Sequence, residues 1–224
     1  MNLYNMTIKI YMMKKICAVL ICLISSIAGY SQSAWTVSVG GGLDLYKNKY
    51  YSTNIYEKFE DGKLDFYAGL GIGVKINDIV RLRVNCNYGE YSFGVKPKDS
   101  SIAFSESEKT LVHLDVVPRL DIKLLTFRKF DLLASPGVDI AYIIDSRNKT
   151  ILPTGEESKR VYVDSRNKSS YTGALLGAIA RYNIDRQFAV TLTPEYTYFF
   201  NKLYSKNDGN FQRFRVGLGF EWNI

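Results

Sequence analysis

Apolar and polar residues alternate along most of this chain, in consecutive segments that are separated by polar breaks. In the first segment Val37, Val39 and Leu43 alternate with Ser38 and Asp44. A period of two is typical of a β-strand with two different faces, whereas an amphipathic helix needs a period of about 3.6. Such segments follow one another at residues 35–45, 65–76, 80–89, 112–123, 130–142, 171–184, 188–198 and 213–224.

The breaks between these segments alternate between long, polar connections and tight ones. The long breaks fall near residues 47–63, 94–108, 146–168 and 201–210, and the tight ones at 77–78, 126–129 and 185–186. Outer-membrane barrels combine short periplasmic turns with longer external loops. The pattern therefore predicts an all-β fold, an eight-stranded antiparallel up-and-down transmembrane β-barrel with both ends on the short-turn side. Because proline lacks a ladder donor, we expect bulges at Pro118, Pro136 and Pro194.

The first part of the chain has the pattern of a signal peptide. A basic stretch at residues 12–15 precedes an apolar run at residues 16–27, and small residues follow at once. The run is shorter than the roughly 18–20 apolar residues that span a bilayer as a helix. We therefore predict a signal peptide at residues 1–31, with residues 1–11 as an upstream extension, and a barrel domain at residues 32–224.

Removal of the signal peptide changes the interpretation of charge and cysteine content. The whole chain carries a formal charge of +7, and the predicted signal peptide holds three lysines and no acidic residue, so 7 − 3 leaves +4. This modest charge does not favour a nucleic-acid partner. Two of the three cysteines are removed as well, and Cys86 alone can form neither an internal disulfide nor a cysteine-clustered metal site.

Two kinds of barrel have strands in which apolar and polar residues alternate in this way. The two kinds differ in which face of the strands is in contact with water. A soluble, lipocalin-like periplasmic barrel turns its apolar face inward, whereas a membrane barrel turns it toward lipid. Aromatic residues cluster at both ends of the apolar rows, as amphipathic rings do at lipid headgroups. They are Trp35, Phe130, Tyr182, Phe188, Phe220 and Trp222 near the tight turns, and Tyr88, Tyr142, Tyr196 and Tyr198 toward the loops. The membrane barrel is favoured, and the soluble ligand-binding barrel is the alternative.

The polar rows contain acidic and basic residues in equal numbers. We predict that they form a charge network in the lumen, made of Asp44, Asp65, Lys75, Arg81, Arg83, Asp115, Arg119, Asp121, Lys123, Asp131, Asp139, Arg181, Glu195, Arg213, Arg215 and Glu221. Charges buried in a narrow barrel must be paired, because an unpaired one costs several kcal/mol. Eight strands leave room only for side chains, which argues against a small open channel.

Three loose motifs resemble those of a known family. Residues 114–118 (LDVVP), 132–136 (LLASP) and 216–222 (VGLGFEW) are similar to segments of the outer-membrane β-barrel domains of PorT-like and related porin-family proteins, which have the size of OmpA/OmpX-type barrels. The resemblance covers residues 32–224 and implies insertion by the barrel-assembly machinery. The family usually ends on an aromatic residue, whereas this sequence ends on Ile224.

Candidate chemistry in the sequence is sparse. The glycine-rich segment 69–75 lacks the following helix that would hold a phosphate, and small residues facing a crowded lumen explain it. His113 is the only histidine, so a multi-histidine metal site is impossible. With Asp115 and a hydroxyl from Ser135 or Thr193, it would supply the minimum for a lipid-modifying hydrolase. We expect instead a lumenal histidine, with no catalytic, cofactor-binding or metal-binding residue.

The long breaks are the better candidates for function, although solubility alone also explains their composition. Basic and aromatic side chains there are suited to contact anionic lipopolysaccharide or another surface partner. The candidates are Tyr50, Tyr51, Lys159, Arg160, Arg166 and Lys168. The sequence thus predicts a non-enzymatic structural or interaction protein of the bacterial outer membrane. The alternatives are a lipid-modifying enzyme, a small channel and a soluble periplasmic barrel.

Overall fold

The computed structural model describes the barrel domain and not the predicted signal peptide. The described residues are 35–48, 56–60, 63–97, 106–151, 154, 157–161, 170–200 and 211–224. They contain the strands β1 (Trp35–Asn48), β2 (Tyr56–Glu60), β3 (Leu64–Lys75), β4 (Val80–Pro97), β5 (Glu106–Phe127), β6 (Phe130–Ile151), β7 (Glu157–Val161), β8 (Ser170–Asn183), β9 (Phe188–Phe199) and β10 (Phe211–Asn223). Among these residues no helix is long and apolar enough to span a bilayer.

The strands form a closed antiparallel barrel. Eight of them pair in the cyclic order β1, β3, β4, β5, β6, β8, β9 and β10, and β10 returns to β1. At the seam the Trp35 amide donates to the Ile224 carbonyl (3.2 Å), and the Ile224 amide donates back to Trp35 (2.7 Å). The short β2 pairs with the part of β4 that lies beyond its pairing with β3. In the same way, β7 pairs with the part of β6 that lies beyond its pairing with β8. The predicted eight-stranded fold is therefore confirmed.

Side-chain oxygen atoms of Asn and Asp stabilise the tight turns at one end of the barrel. Asn77 Oδ1 accepts from the amides of Ile79 (2.9 Å) and Val80 (2.7 Å), and Asp185 Oδ1 accepts from the amide of Phe188 (2.8 Å). The third connection is a two-residue turn at residues 128–129, in which Arg128 has a φ of 54°. Asn and Asp favour such turns because their side chains replace a backbone acceptor. These turns lie where the sequence predicts tight connections.

The strands are much longer at the loop end than the sequence pattern predicts. β5 and β6 each have 22 residues, whereas a tilted strand crosses a bilayer with about 9–11. The predicted long connections at 94–108 and 146–168 are therefore partly wrong, because these ladders continue past the bilayer. The predicted connection at 47–63 likewise contains β2. We refer to the extension formed by β2, β4, β5, β6 and β7 as the tall wall.

The bulges do not lie at the prolines. The pairing of β5 with β6 keeps one register past Pro118 and Pro136, and its shifts lie at Val112/His113 and at Lys123/Leu125. The expectation of a bulge at each proline is therefore wrong. The first shift also makes one predicted orientation wrong. The alternation places Val112 on the outer face, but its side chain is buried, as are those of Leu111 and His113.

The outer surface is an apolar belt between aromatic girdles. Leu70 and Leu218, near the middle of the belt, are both 64% exposed. At the turn end the Phe188 ring packs against Phe220 (centroids 5.4 Å apart) and Trp222 (6.4 Å). Other large apolar side chains on this surface are Val39, Phe66, Ile72, Leu120, Leu132, Leu176, Leu192 and Phe214. Because the charged rows are buried instead, the soluble-barrel alternative is wrong for this fold.

A charge placed in the middle of this belt should destabilise the barrel. We expect Leu218→Arg to lower the free energy of unfolding by about 2–4 kcal/mol in lipid vesicles, because the guanidinium would face hydrocarbon. The matched control is Ile79→Arg, in an exposed turn, which should cost about 0–1 kcal/mol. Urea titration followed by tryptophan fluorescence measures both. Equal losses for the two variants would contradict a lipid-facing belt.

Candidate functional site

Five charged residues near the tight turns form the turn-side cluster. Glu221, fully buried, accepts from Arg81 Nη1 (2.9 Å) and Arg83 Nη1 (2.8 Å), and Arg181 Nε lies 3.1 Å from it. Asp121, also fully buried, lies 3.0 Å from Arg81 and 2.8 Å from Arg83. Since β10 is a neighbour of neither β4 nor β8, the ion pairs of Glu221 cross the lumen, whereas those of Asp121 join the adjacent strands β4 and β5. They close the turn end with side chains.

A second group, the loop-side cluster, lies toward the opposite end of the lumen. Arg215 donates to both oxygens of Asp44 (2.6 and 2.7 Å) on the neighbouring strand and to Asp115 (3.1 Å). Arg213 donates to Asp115 (2.7 Å) and forms a further ion pair with Asp139. All five side chains are buried. Between the two clusters, Arg119 and Glu195 form another ion pair across the lumen.

His113 belongs to the loop-side cluster. Its Nδ1 lies 2.7 Å from Asp115, and its Nε2 lies 2.5 Å from the hydroxyl of Tyr46. The Tyr46 hydroxyl in turn donates to Asp44 (3.2 Å). His113 thus links Asp115 to Tyr46 and, through Tyr46, to Asp44.

The sequence reasoning missed an apolar group that covers the loop-side cluster. We call it the apolar cap, and it consists of Tyr46, Tyr91, Phe93, Leu111, Ala141, Tyr171 and Phe199, with Ile143 packed against them. Tyr46 and Tyr91 have ring centroids 4.5 Å apart, and the Arg213 guanidinium lies 5.5 Å from the centre of the Phe199 ring. The inward rows of six strands end on these residues. Extending those rows past the charged positions would have found them.

Glycines on the inward rows make room for large side chains from nearby strands. The Tyr67 ring on β3 extends over β1 toward β10, where the Arg215 guanidinium lies 3.8 Å from its centre. A Cβ at Gly217 would overlap the Tyr67 hydroxyl, and one at Gly69 would overlap the Asn87 side chain. The narrow lumen is thus filled by pairing small residues with large ones, as a barrel of eight strands requires.

Most of the predicted network residues are brought together inside the barrel. Twelve of them belong to the two clusters or to the pair between them: Asp44, Arg81, Arg83, Asp115, Arg119, Asp121, Asp139, Arg181, Glu195, Arg213, Arg215 and Glu221. Asp131 accepts from Thr126 (2.7 Å) and Asn183 (2.9 Å) at the turn end. Asp65 accepts from the Ser92 amide (2.9 Å), and Lys123 is half-buried.

The assignment of Lys75 to the lumen is wrong. Its side chain is 48% exposed and lies 2.7 Å from Asp78 in the tight turn, because β3 ends at this residue. The hydrogen bond from Lys75 lowers the pKa of the fully exposed Asp78. Of the proposed loop contacts, Tyr50, Tyr51, Arg166 and Lys168 lie outside the described residues. Lys159 and Arg160 lie on β7, of which the structure describes the backbone.

The structure does not assemble the hydrolase triad weighed from the sequence. Ser135 Oγ donates to Asp121 (2.7 Å) in the turn-side half of the lumen. Thr193 lines a polar cavity next to Glu195. Both ring nitrogens of His113 are occupied by Asp115 and Tyr46, so neither hydroxyl is its partner.

Comparisons with known proteins identify the fold. No protein-family model matches the chain, and no curated protein sequence matches it. The chain is similar to the solved structure of outer membrane protein OprG from Pseudomonas aeruginosa, with a TM-score of 0.53 and 10% identity over 86% of this chain and 97% of that one. The attachment invasion locus protein Ail of Yersinia pestis gives a TM-score of 0.49 with 14% identity over 86% and 99%.

The fold and the surface together define the class. OprG shares the barrel fold with this chain, and the apolar belt between aromatic girdles is the surface that such barrels turn to lipid. The chain is therefore an outer-membrane β-barrel with a salt-bridged interior. The finer resemblance to PorT-like proteins stays a prediction.

Breaking the loop-side cluster should cost much more than breaking a surface ion pair. We expect Arg213→Gln to reduce the free energy of unfolding by about 3–5 kcal/mol, since it leaves buried carboxylates uncompensated. Arg147→Gln is the matched control, because Arg147 pairs with Glu90 (3.3 Å) at the surface and such pairs contribute about 0–1 kcal/mol. The folded band on unboiled gels, followed against urea, measures both. A loss below 1 kcal/mol for Arg213→Gln would show that this cluster does not stabilise the barrel.

Proposed function

We propose that this chain is a non-enzymatic outer-membrane protein of the PorT-like, porin-family kind, which acts as a structural or interaction protein through its external side. The observation that carries the proposal is the filled lumen. Two ion-paired clusters and the apolar cap follow one another along its axis, so solutes have no continuous path. A barrel without a channel offers partners its rim and its external connections.

The tall wall supports a role outside the bilayer. β4, β5 and β6 continue their ladders well beyond a bilayer's thickness, and polar pairs such as Lys63–Glu108 (2.9 Å) cover their surface. β7 adds the basic residues Lys159 and Arg160 to this wall. Together with Tyr50, Tyr51, Arg166 and Lys168 they form the proposed contact for lipopolysaccharide or a surface partner. A rigid wall presents the residues of β7 at little entropic cost.

The environment of His113 favours a non-enzymatic role over a lipid-modifying enzyme. Its side chain is 5% exposed and lies beneath the apolar cap, out of reach of a lipid at the belt. A catalytic base needs a nucleophile within hydrogen-bond reach, and the groups at its two ring nitrogens are Asp115 and Tyr46. The histidine therefore serves the hydrogen-bonded network of the lumen in this proposal.

Assembly is proposed to use the barrel-assembly machinery. In β10 Phe220 and Trp222 face outward at the turn end, in register with Ile224. This aromatic row is the feature that the resemblance to porin-family barrels associates with recognition by that machinery. No nucleic acid or cofactor is part of the proposal.

The filled lumen predicts that the protein does not conduct. Purified protein that shows a heat-dependent shift on unboiled gels, and is therefore folded, should give no steady conductance steps in planar bilayers. A general porin reconstituted in parallel verifies the assay. Steady single-channel steps from the folded wild-type barrel would overturn the closed-lumen proposal.

The proposed lipopolysaccharide contact predicts charge-dependent binding. We expect replacement of Lys159, Arg160, Arg166 and Lys168 by Gln to weaken binding to lipopolysaccharide at least tenfold at low salt, because each basic residue near an anionic surface contributes about 1 kcal/mol. The matched control replaces four exposed turn-end residues, Lys75, Arg128, Lys129 and Arg186, and should retain binding. Isothermal titration on the detergent-solubilised barrel measures both. Equal losses would show that net charge, not the external side, determines binding.

A further inference from the structure

A polar cavity lies in the middle of the lumen, between the turn-side and loop-side clusters. Its volume is about 40 Å³, and it is lined by Arg83, Asn85, Arg119, Glu195 and Arg215 among other residues. The charged lining comprises three guanidinium groups and one carboxylate. The three arginines are at most 5% exposed, so the positive part of the lining is buried.

Several donors around this cavity have no hydrogen-bond partner among the described protein groups. They are Arg83 Nε, Arg119 Nε and Arg215 Nη1, and each atom is buried. Leaving one buried donor unsatisfied costs about 1–3 kcal/mol, and more when the donor is charged. Three such donors belong to residues that line one cavity, beside one unsatisfied acceptor, Asn85 Oδ1, so they indicate an occupant that accepts more hydrogen bonds than it donates.

The local charge favours an anion over a neutral acceptor. The cavity itself is lined by three guanidinium groups and one carboxylate, so positive groups outnumber negative ones at its walls: Arg83, Arg119 and Arg215 against Glu195. Such a lining stabilises an anion, because the low dielectric of the interior screens the attraction little.

The size of the cavity selects a small anion. A volume of about 40 Å³ holds only one or two water-sized occupants, which is too little for a four-oxygen phosphate or sulfate. A single halide ion has a compatible size and accepts hydrogen bonds from several N–H groups.

We propose that the lumen contains a structural halide site, at which one chloride ion is bound between Arg83, Arg119 and Arg215. The ion enters as the barrel folds and is part of the ion-paired interior. This site is independent of the proposed external contacts and of any partner there.

The direct test replaces chloride with bromide. The wild-type barrel is refolded and crystallised in sodium bromide, and anomalous scattering is recorded at the bromine edge. We expect an anomalous peak within hydrogen-bond distance of Arg119 Nε and Arg215 Nη1. Water density without an anomalous peak in the cavity would overturn the proposal.

A solution test uses chloride as the titrant, with gluconate keeping the ionic strength constant. Binding to the folded state alone predicts that tenfold more chloride, above the dissociation constant, raises the folded-to-unfolded ratio about tenfold. The double variant Arg119→Gln, Glu195→Gln removes one wall of the site without changing net charge, and should respond less than twofold. Arg147→Gln, which breaks a surface ion pair away from the cavity, should keep the tenfold response. A wild-type ratio that ignores chloride, or a double variant that keeps the full response, contradicts the site.

Discussion

Ion pairs across the lumen are the interaction on which the rest of this structure depends. The barrel turns its large apolar side chains toward lipid, so the interior has little hydrophobic core to hold opposite walls together. Arg81 with Glu221, Arg213 with Asp139 and Arg119 with Glu195 each join strands that are not neighbours. Buried pairs of this kind offset the cost of desolvation only when their geometry is good. Each strand therefore has to hold its register, or several pairs are lost together.

The apolar cap and the glycine rows follow from the same constraint. Desolvated charges interact strongly only where water is excluded, and the cap of aromatic side chains covers the loop-side cluster on its external side. Glycines such as Gly217 allow Tyr67 to extend over β1 and lie against Arg215. The interior is thus apolar at the loop end and ion-paired along its length, and side chains fill it. A conducting channel would instead need a continuous open path.

The sequence predicted the barrel and most of its interior because a period of two assigns each side chain to a face. It failed where the period is interrupted or where a strand ends. Val112 is buried because of a register shift that no residue type signals, and Lys75 lies outside because β3 stops there. The length of β5 and β6 could not be predicted, since polar residues beyond the bilayer resemble a loop. Pairing partners across the lumen depend on strand stagger, which alternation does not determine.

The seam between β1 and β10 has a consequence for how the barrel forms. These two strands come from opposite ends of the domain, and residues such as Val37 and Trp222 are paired across it. Every other ladder between neighbouring barrel strands joins segments that follow one another along the chain. Pairing β1 with β10 closes the longest stretch of chain and therefore has the largest entropic cost. The hairpins between consecutive strands are expected to form first, and the β1–β10 ladder last. Until β1 and β10 pair, the open sheet would expose two unpaired strand edges to its surroundings. It would also expose arginines whose ion-pair partners across the lumen are not yet in place.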